Sequence, residues 1–164
     1  MAHFSKNTFL AILAMLVISC AAMANPISIS QAKLLQDGTS VALEGKICTA
    51  TFDSLNYCYI QEADGSAGIR IEALMAGLSV GDTVNVTGVM STRVFGDVDS
   101  ERMVVQTYIA KTGEGAQVVS NFLPGKWVGG EPVAPYLPGV QSPMGPNSIG
   151  SLVNVYGIIS HRED

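Results

Sequence analysis

The chain has 164 residues, of which 48% are hydrophobic and only 14% charged, and its net charge is −5. That length suits one ordinary domain with an appendage rather than two full domains, and the acidic balance excludes the strongly basic footprint of a phosphate-backbone binder. Three cysteines, none in a C-x-x-C arrangement, argue against a zinc ribbon or a thioredoxin-like redox site.

Residues 1–24 read as an export signal. His3 and Lys6 supply a short positive start, and Thr8 to Ile18 form an apolar run of eleven residues. Ala22-Met23-Ala24 then gives a small-x-small cleavage pattern before Asn25-Pro26. A spanning helix needs about 20 apolar residues, so no transmembrane segment is expected in the mature chain. Loss of Lys6 with the leader brings the net charge to −6. Val17-Ile18-Ser19-Cys20 resembles the bacterial lipobox, which makes Cys20 a candidate for lipidation and anchoring at a membrane surface. The closely following Ala-x-Ala favours plain cleavage after Ala24. The expected location is the periplasm, the cell surface or the exterior, with a lipid anchor if Cys20 is processed.

The mature chain opens with Ser30 to Leu35, enough for one or two helical turns behind a serine cap. From there the pattern is β. Gln36-Asp37-Gly38-Thr39 is a turn, and Val41 to Ile47 alternates with period two. Asp53 to Asn56 is a second turn before Tyr57 to Glu62, and Asp64-Gly65-Ser66 a third before Ala67 to Glu72. Val80-Gly81-Asp82 leads into a fourth strand, Thr83 to Met90, and Arg102 to Ala110 makes a fifth. Short strands at regular spacing with glycine-rich turns point to a small barrel or sandwich.

A shared template favours the barrel. Val41-x-Leu43-x-Gly45-x-Ile47 and Val84-x-Val86-x-Gly88-x-Met90 both place a glycine inside a strand, where it marks a bulge or sharp bend. The template recurs at Val153-x-Val155-x-Gly157-x-Ile159.

Three stretches in order carry a family resemblance: Ala32-Lys33-Leu34-Leu35-Gln36-Asp37-Gly38-Thr39, Tyr59 through Ile71, and Val80-Gly81-Asp82-Thr83-Val84-Asn85-Val86-Thr87-Gly88. With them, residues 27–112 resemble an exported bacterial OB-fold (oligonucleotide/oligosaccharide-binding) domain. The resemblance implies an all-β fold with a five-stranded Greek-key OB-fold barrel, followed by a Pro/Gly-rich connector and one extra strand. The connector, residues 113–147, carries six of the chain's seven prolines, from Pro124 to Pro146, and is expected to be irregular. Residues 148–164 resemble the first strand of a second OB domain, with no room for four more strands before Asp164. Truncation or loose docking of that strand on the first domain is the expectation, because a bare Leu152–Ile159 strand invites aggregation.

Catalytic chemistry has little to work with. The mature chain holds one histidine, His161, and neither a nucleophile triad nor a phosphate-binding glycine loop, so a non-enzyme with no cofactor is expected. Asp97, Asp99 and Glu101 alternate like a small calcium loop but lack the rest of that pattern, and a solvated turn is the expected reading. Cys48 and Cys58 flank the first hairpin and are disulfide candidates in an oxidising compartment. Parity puts Cys48 opposite Leu43 unless Gly45 bulges and flips the register, so a bond and a pair of buried free thiols both remain open.

The OB resemblance implies binding along the outer face of strands two and three. That face is expected to carry Tyr57, Tyr59, Gln61, Arg70 and Glu72, with Phe52, Asn56, Arg93, Phe95 and Arg102 added from the flanking loops. Aromatic platforms with an occasional arginine suit a base or a sugar ring, although exposed strand tyrosines also occur with no ligand. The expected function is an exported, non-catalytic binding or structural module of the cell envelope, with an oligosaccharide, a peptide or another small polar ligand. Weak single-stranded nucleic-acid binding through Arg70, Arg93, Arg102 and Lys111 is the alternative, disfavoured by the net charge.

Overall fold

The computed structural model describes residues 25–72, 77–95, 99–130 and 147–157. The leader, with Cys20, lies outside them, as do Asp97 and His161. A five-residue helix, α1 (Ile29–Lys33), begins the fold. It starts earlier than the expected Ser30 because Ser28 and Gln31 form a capping box. The Ser28 Oγ accepts from the Gln31 amide at 3.1 Å, and the Gln31 side chain accepts from the Ser28 amide at 2.9 Å.

Five strands follow: β1 (Ser40–Phe52), β2 (Tyr57–Gln61), β3 (Gly68–Glu72), β4 (Thr83–Phe95) and β5 (Asp99–Gly113). They pair in a barrel-like ring, β1-β2-β3-β5-β4, with β4 returning to β1. Every junction is antiparallel except the parallel β3–β5 pair. The first, fourth and fifth strands outrun their sequence-based limits, since β4 and β5 continue as a hairpin to the Phe95–Asp99 pair.

The inner face is aliphatic: Val41, Leu43, Ile60, Ile69, Ile71, Val84, Val86, Met90 and Val104 are buried there, with Ile29 and Ala32 from α1. At about 25 cal/mol per Å² of apolar surface removed from water, this cluster supplies the main drive to fold. Both template glycines mark register shifts, β1 slipping against β4 between Leu43 and Lys46 and β4 against β5 at Thr87/Gly88. Gly45 sits at φ +63°, and its amide is satisfied by the Asn85 side chain at 2.8 Å. The slip lets Cys48 share the inner face with Leu43.

The connector is not wholly irregular, which corrects that expectation. It holds β6 (Asn121–Pro124), which pairs in parallel with β7 (Val153–Tyr156) in a separate two-stranded sheet. Leu123 supplies a buried apolar anchor there. The extra strand, expected to be truncated or loosely docked, therefore has a partner from the preceding segment. Among the described residues no helix is long and apolar enough to cross a membrane.

Candidate ligand-binding face

Strand parity builds this face. Cys58, Ile60, Ile69 and Ile71 point inward, so Tyr57, Tyr59 and Gln61 on β2 point outward and pair with Glu72, Arg70 and Gly68 on β3. The Arg70 guanidinium lies 3.5 Å from the Tyr57 ring centroid, a cation–π contact. Its Nε donates to Glu72 at 2.9 Å, and its Nη1 stands 3.7 Å from Glu101. The Tyr59 hydroxyl donates to the same Glu101 carboxylate at 2.6 Å. Burial, and then this bond to an anion, push the Tyr59 hydroxyl above the usual phenol range. Phe52 stacks on Tyr57 with centroids 4.6 Å apart and planes 23° apart, and Tyr59 meets both rings edge-on.

The charges on this face are answered locally. Arg70 lies between Glu72 and Glu101, and Arg93 reaches Glu72 at 3.9 Å. Lys33 approaches from α1, where burial pushes its amine down to about 8 against the opposing pull of Glu101. A phosphate backbone would have to break these pairs before using any of the cations.

Half of the face is covered. The Gln61 amide is buried and serves two segments at once, Nε2 donating to the Val119 carbonyl at 2.6 Å and Oε1 accepting from the Leu152 amide at 3.3 Å. Lys33 Nζ donates to the Ile149 carbonyl at 2.6 Å, and Asn121 Nδ2 to the Gly65 carbonyl at 2.5 Å. Gly68 has no side chain in the way, so Gly150 seats against it backbone to backbone. A Cβ on Gly150 would lie 2.9 Å from the Gly68 carbonyl oxygen. Where the covering segment meets the strands, a cleft of about 310 Å³ remains, lined by Thr49, Ala50, Tyr59 and Glu101 on one side and Ile149 to Leu152 on the other.

Other candidates fall elsewhere. Arg102 is corrected from a loop residue of the face to a structural tie. It shares parity with inward-facing Val104, so its buried guanidinium enters the ring's end and donates to Asp37, to Thr92 and to the Leu35 carbonyl. Lys111 pairs with Asp82 at 3.0 Å and Glu114 at 2.7 Å, so the four-cation patch is divided, with Arg70 and Arg93 alone sharing a partner, Glu72. Asn56 closes the β1–β2 turn in a left-handed conformation at φ 55°. Phe95 and Asp99 pair through their backbones at the tip of the β4–β5 hairpin. Glu101 is committed to Tyr59 and Arg70, and among the described residues no group of three or more metal-ligating side chains gathers.

Cys48 and Cys58 are both free and buried, so the candidate disulfide is not formed in this structure. The Cys48 Sγ donates to the Ala50 carbonyl at 3.8 Å, and the neighbouring Cys48 thiol, then burial, push the Cys58 thiol above its ordinary range.

Sequence reasoning missed Lys33 and the Gly68–Gly150 contact as parts of this face, and assigned Glu101 only to a metal loop. Each depends on residues far apart in the chain, so no local spacing announces them.

No family model matches the chain, and no curated protein does. Among solved structures, the hypothetical protein YgiW from E. coli superimposes with a TM-score of 0.41 at 22% identity, over 54% of this chain and 91% of that one.

Proposed function

We propose that the ring is an OB-type Greek-key barrel, and that the chain is an exported, non-catalytic binding module of the cell envelope whose outer β1–β3 face takes a neutral oligosaccharide. The strand order supports the barrel assignment, because β1 is shared between β2 and β4 and the one parallel junction joins β3 to β5. The leader sequence supports export. One observation carries the ligand class. The Phe52–Tyr57 stack stands beside a cleft on a face whose arginines already have carboxylate partners. An aromatic surface with fixed polar groups and little uncompensated charge suits the apolar flank and hydroxyls of a sugar ring.

The alternative ligand is a single-stranded nucleic acid, for which the Tyr57–Arg70 platform is the favouring feature. Calorimetric titration of the chain with linear gluco-, manno- and chito-oligosaccharides, beside anisotropy with a labelled single-stranded oligonucleotide at low and moderate salt, separates the two. Saturable glycan binding with a shallow salt dependence, lost in Tyr57→Ala, is the expected result. Oligonucleotide binding that falls steeply with salt would transfer the face to nucleic acid. No saturable ligand would leave a structural unit.

A further inference from the structure

We infer that the face recognises the end of a neutral hexose chain, with the terminal ring lodged in the cleft between Tyr59 and the Ile149–Leu152 segment; this rests on the oligosaccharide reading above. An open OB-type face can pass a chain from one edge to the other. Here the passage is stopped. The outward positions of Gln61 and Gly68 are occupied by the covering segment, with Gly150 against Gly68 and both ends of the Gln61 amide bonded to it and to Val119. A chain laid along Phe52 and Tyr57 therefore reaches Tyr59 and meets a wall.

The cleft at that wall is continuous with the aromatic stack. Tyr59 lines it and also contacts both rings, while Ala50, two residues before Phe52 on β1, lines the same side. At about 310 Å³ it lies at the small end of ligand sites, fit for one ring rather than several. Its lining joins aliphatic groups (Ala50, Ile149, Leu152) with the Tyr59–Glu101 pair and the hydroxyl residues Thr49 and Ser151. Glu101 spends one oxygen on Tyr59 and faces Arg70 with the other, so the floor offers an acceptor without an unanswered charge.

The covering segment is thus a wall of the site and not a competitor for it, and its removal should weaken binding. Maltohexaose and its cyclic counterpart α-cyclodextrin present the same sugar with and without chain ends. The expected result is that the linear probe binds and the cyclic one binds at least about tenfold more weakly. Gly68→Val places a side chain where the Gly150 carbonyl sits, which should displace the wall and lower maltohexaose affinity towards the cyclodextrin level. Should Gly68→Val fail to fold, the double variant Ile149→Ala/Leu152→Ala thins the wall from outside the ring, with the same loss expected. Equal binding of linear and cyclic probes, or unchanged or tighter binding by the wall variants, overturns the proposal. Loss of binding in Tyr57→Ala would then still uphold the oligosaccharide reading. Binding of neither glucan also overturns chain-end recognition of hexoses, while a manno- or chito-oligosaccharide that bound would keep the broader reading alive.

Discussion

Arg102 carries its charge at a place where none of its side chain meets water, and its Nη1 and Nη2 find three oxygen acceptors there. It ties Asp37 and the Leu35 carbonyl, both at the turn after α1, to Thr92 on β4. Arg102→Met keeps the volume but strands that carbonyl, so a loss of about 2 kcal/mol is expected in urea unfolding. A change smaller than about 0.5 kcal/mol would show the tie to be energetically idle. Lys33 is the opposite case, a buried amine whose charge is costly. Its folded value of about 8 lies below the ordinary 10.5, so between those limits the unfolded chain holds more protons and stability rises with pH. Lys33→Met removes that dependence. The stability of wild type relative to Lys33→Met should therefore improve by about 2 kcal/mol from pH 7 to pH 10, measured by urea unfolding at each pH. Taking the difference cancels the opposite contribution of Tyr59, whose raised hydroxyl favours the folded state less as pH climbs past the ordinary phenol value.

The strands were legible because alternation is a local signal, and the shared glycine template located two of the register slips, at Gly45 and at Gly88. The Gly45 slip also resolved what parity alone had left open, bringing Cys48 to the inner face beside Leu43. The slip needs glycine for its φ of +63°, although nothing crowds a Cβ there. Gly45→Ala should accordingly cost about 1 kcal/mol, with no change in the core, as thermal unfolding and spectra of the ring would report. Arg102 was misplaced for a related reason. Once β5 begins at Asp99 rather than Arg102, that residue becomes an interior strand position and its parity follows from Val104. β6 was hidden because Asn121-Phe122-Leu123-Pro124 is too short for a period and borders a proline-rich stretch. Tyr57, Tyr59, Arg70 and Glu72 were read onto one face from alternation alone; the burial of Gln61 was not, since the segments covering it lie 58 and 91 residues away.

The molecule joins a tightly knit ring to a lightly held appendage. The ring buries a continuous aliphatic cluster, whereas β7 leaves Val155 and Tyr156 exposed and rests on a two-stranded sheet. The seat is held largely by Lys33, Gln61 and Asn121 reaching backbone groups. Amides of Val153 to Tyr156 should consequently exchange with deuterium faster than those of β1 and β4, through local opening that leaves the ring intact. Equal protection throughout would mean that ring and appendage unfold as one unit. The abutment of Gly68 and Gly150 also imposes an order of assembly. The seat is a surface of paired β2 and β3, so it does not exist until those strands have met, whereas no strand of the ring requires the appendage for its hydrogen-bond partners. Pairing of β2 with β3 is therefore expected to precede docking of the appendage. Refolding should register two successive events, and Gly68→Val should retain the first while losing the second.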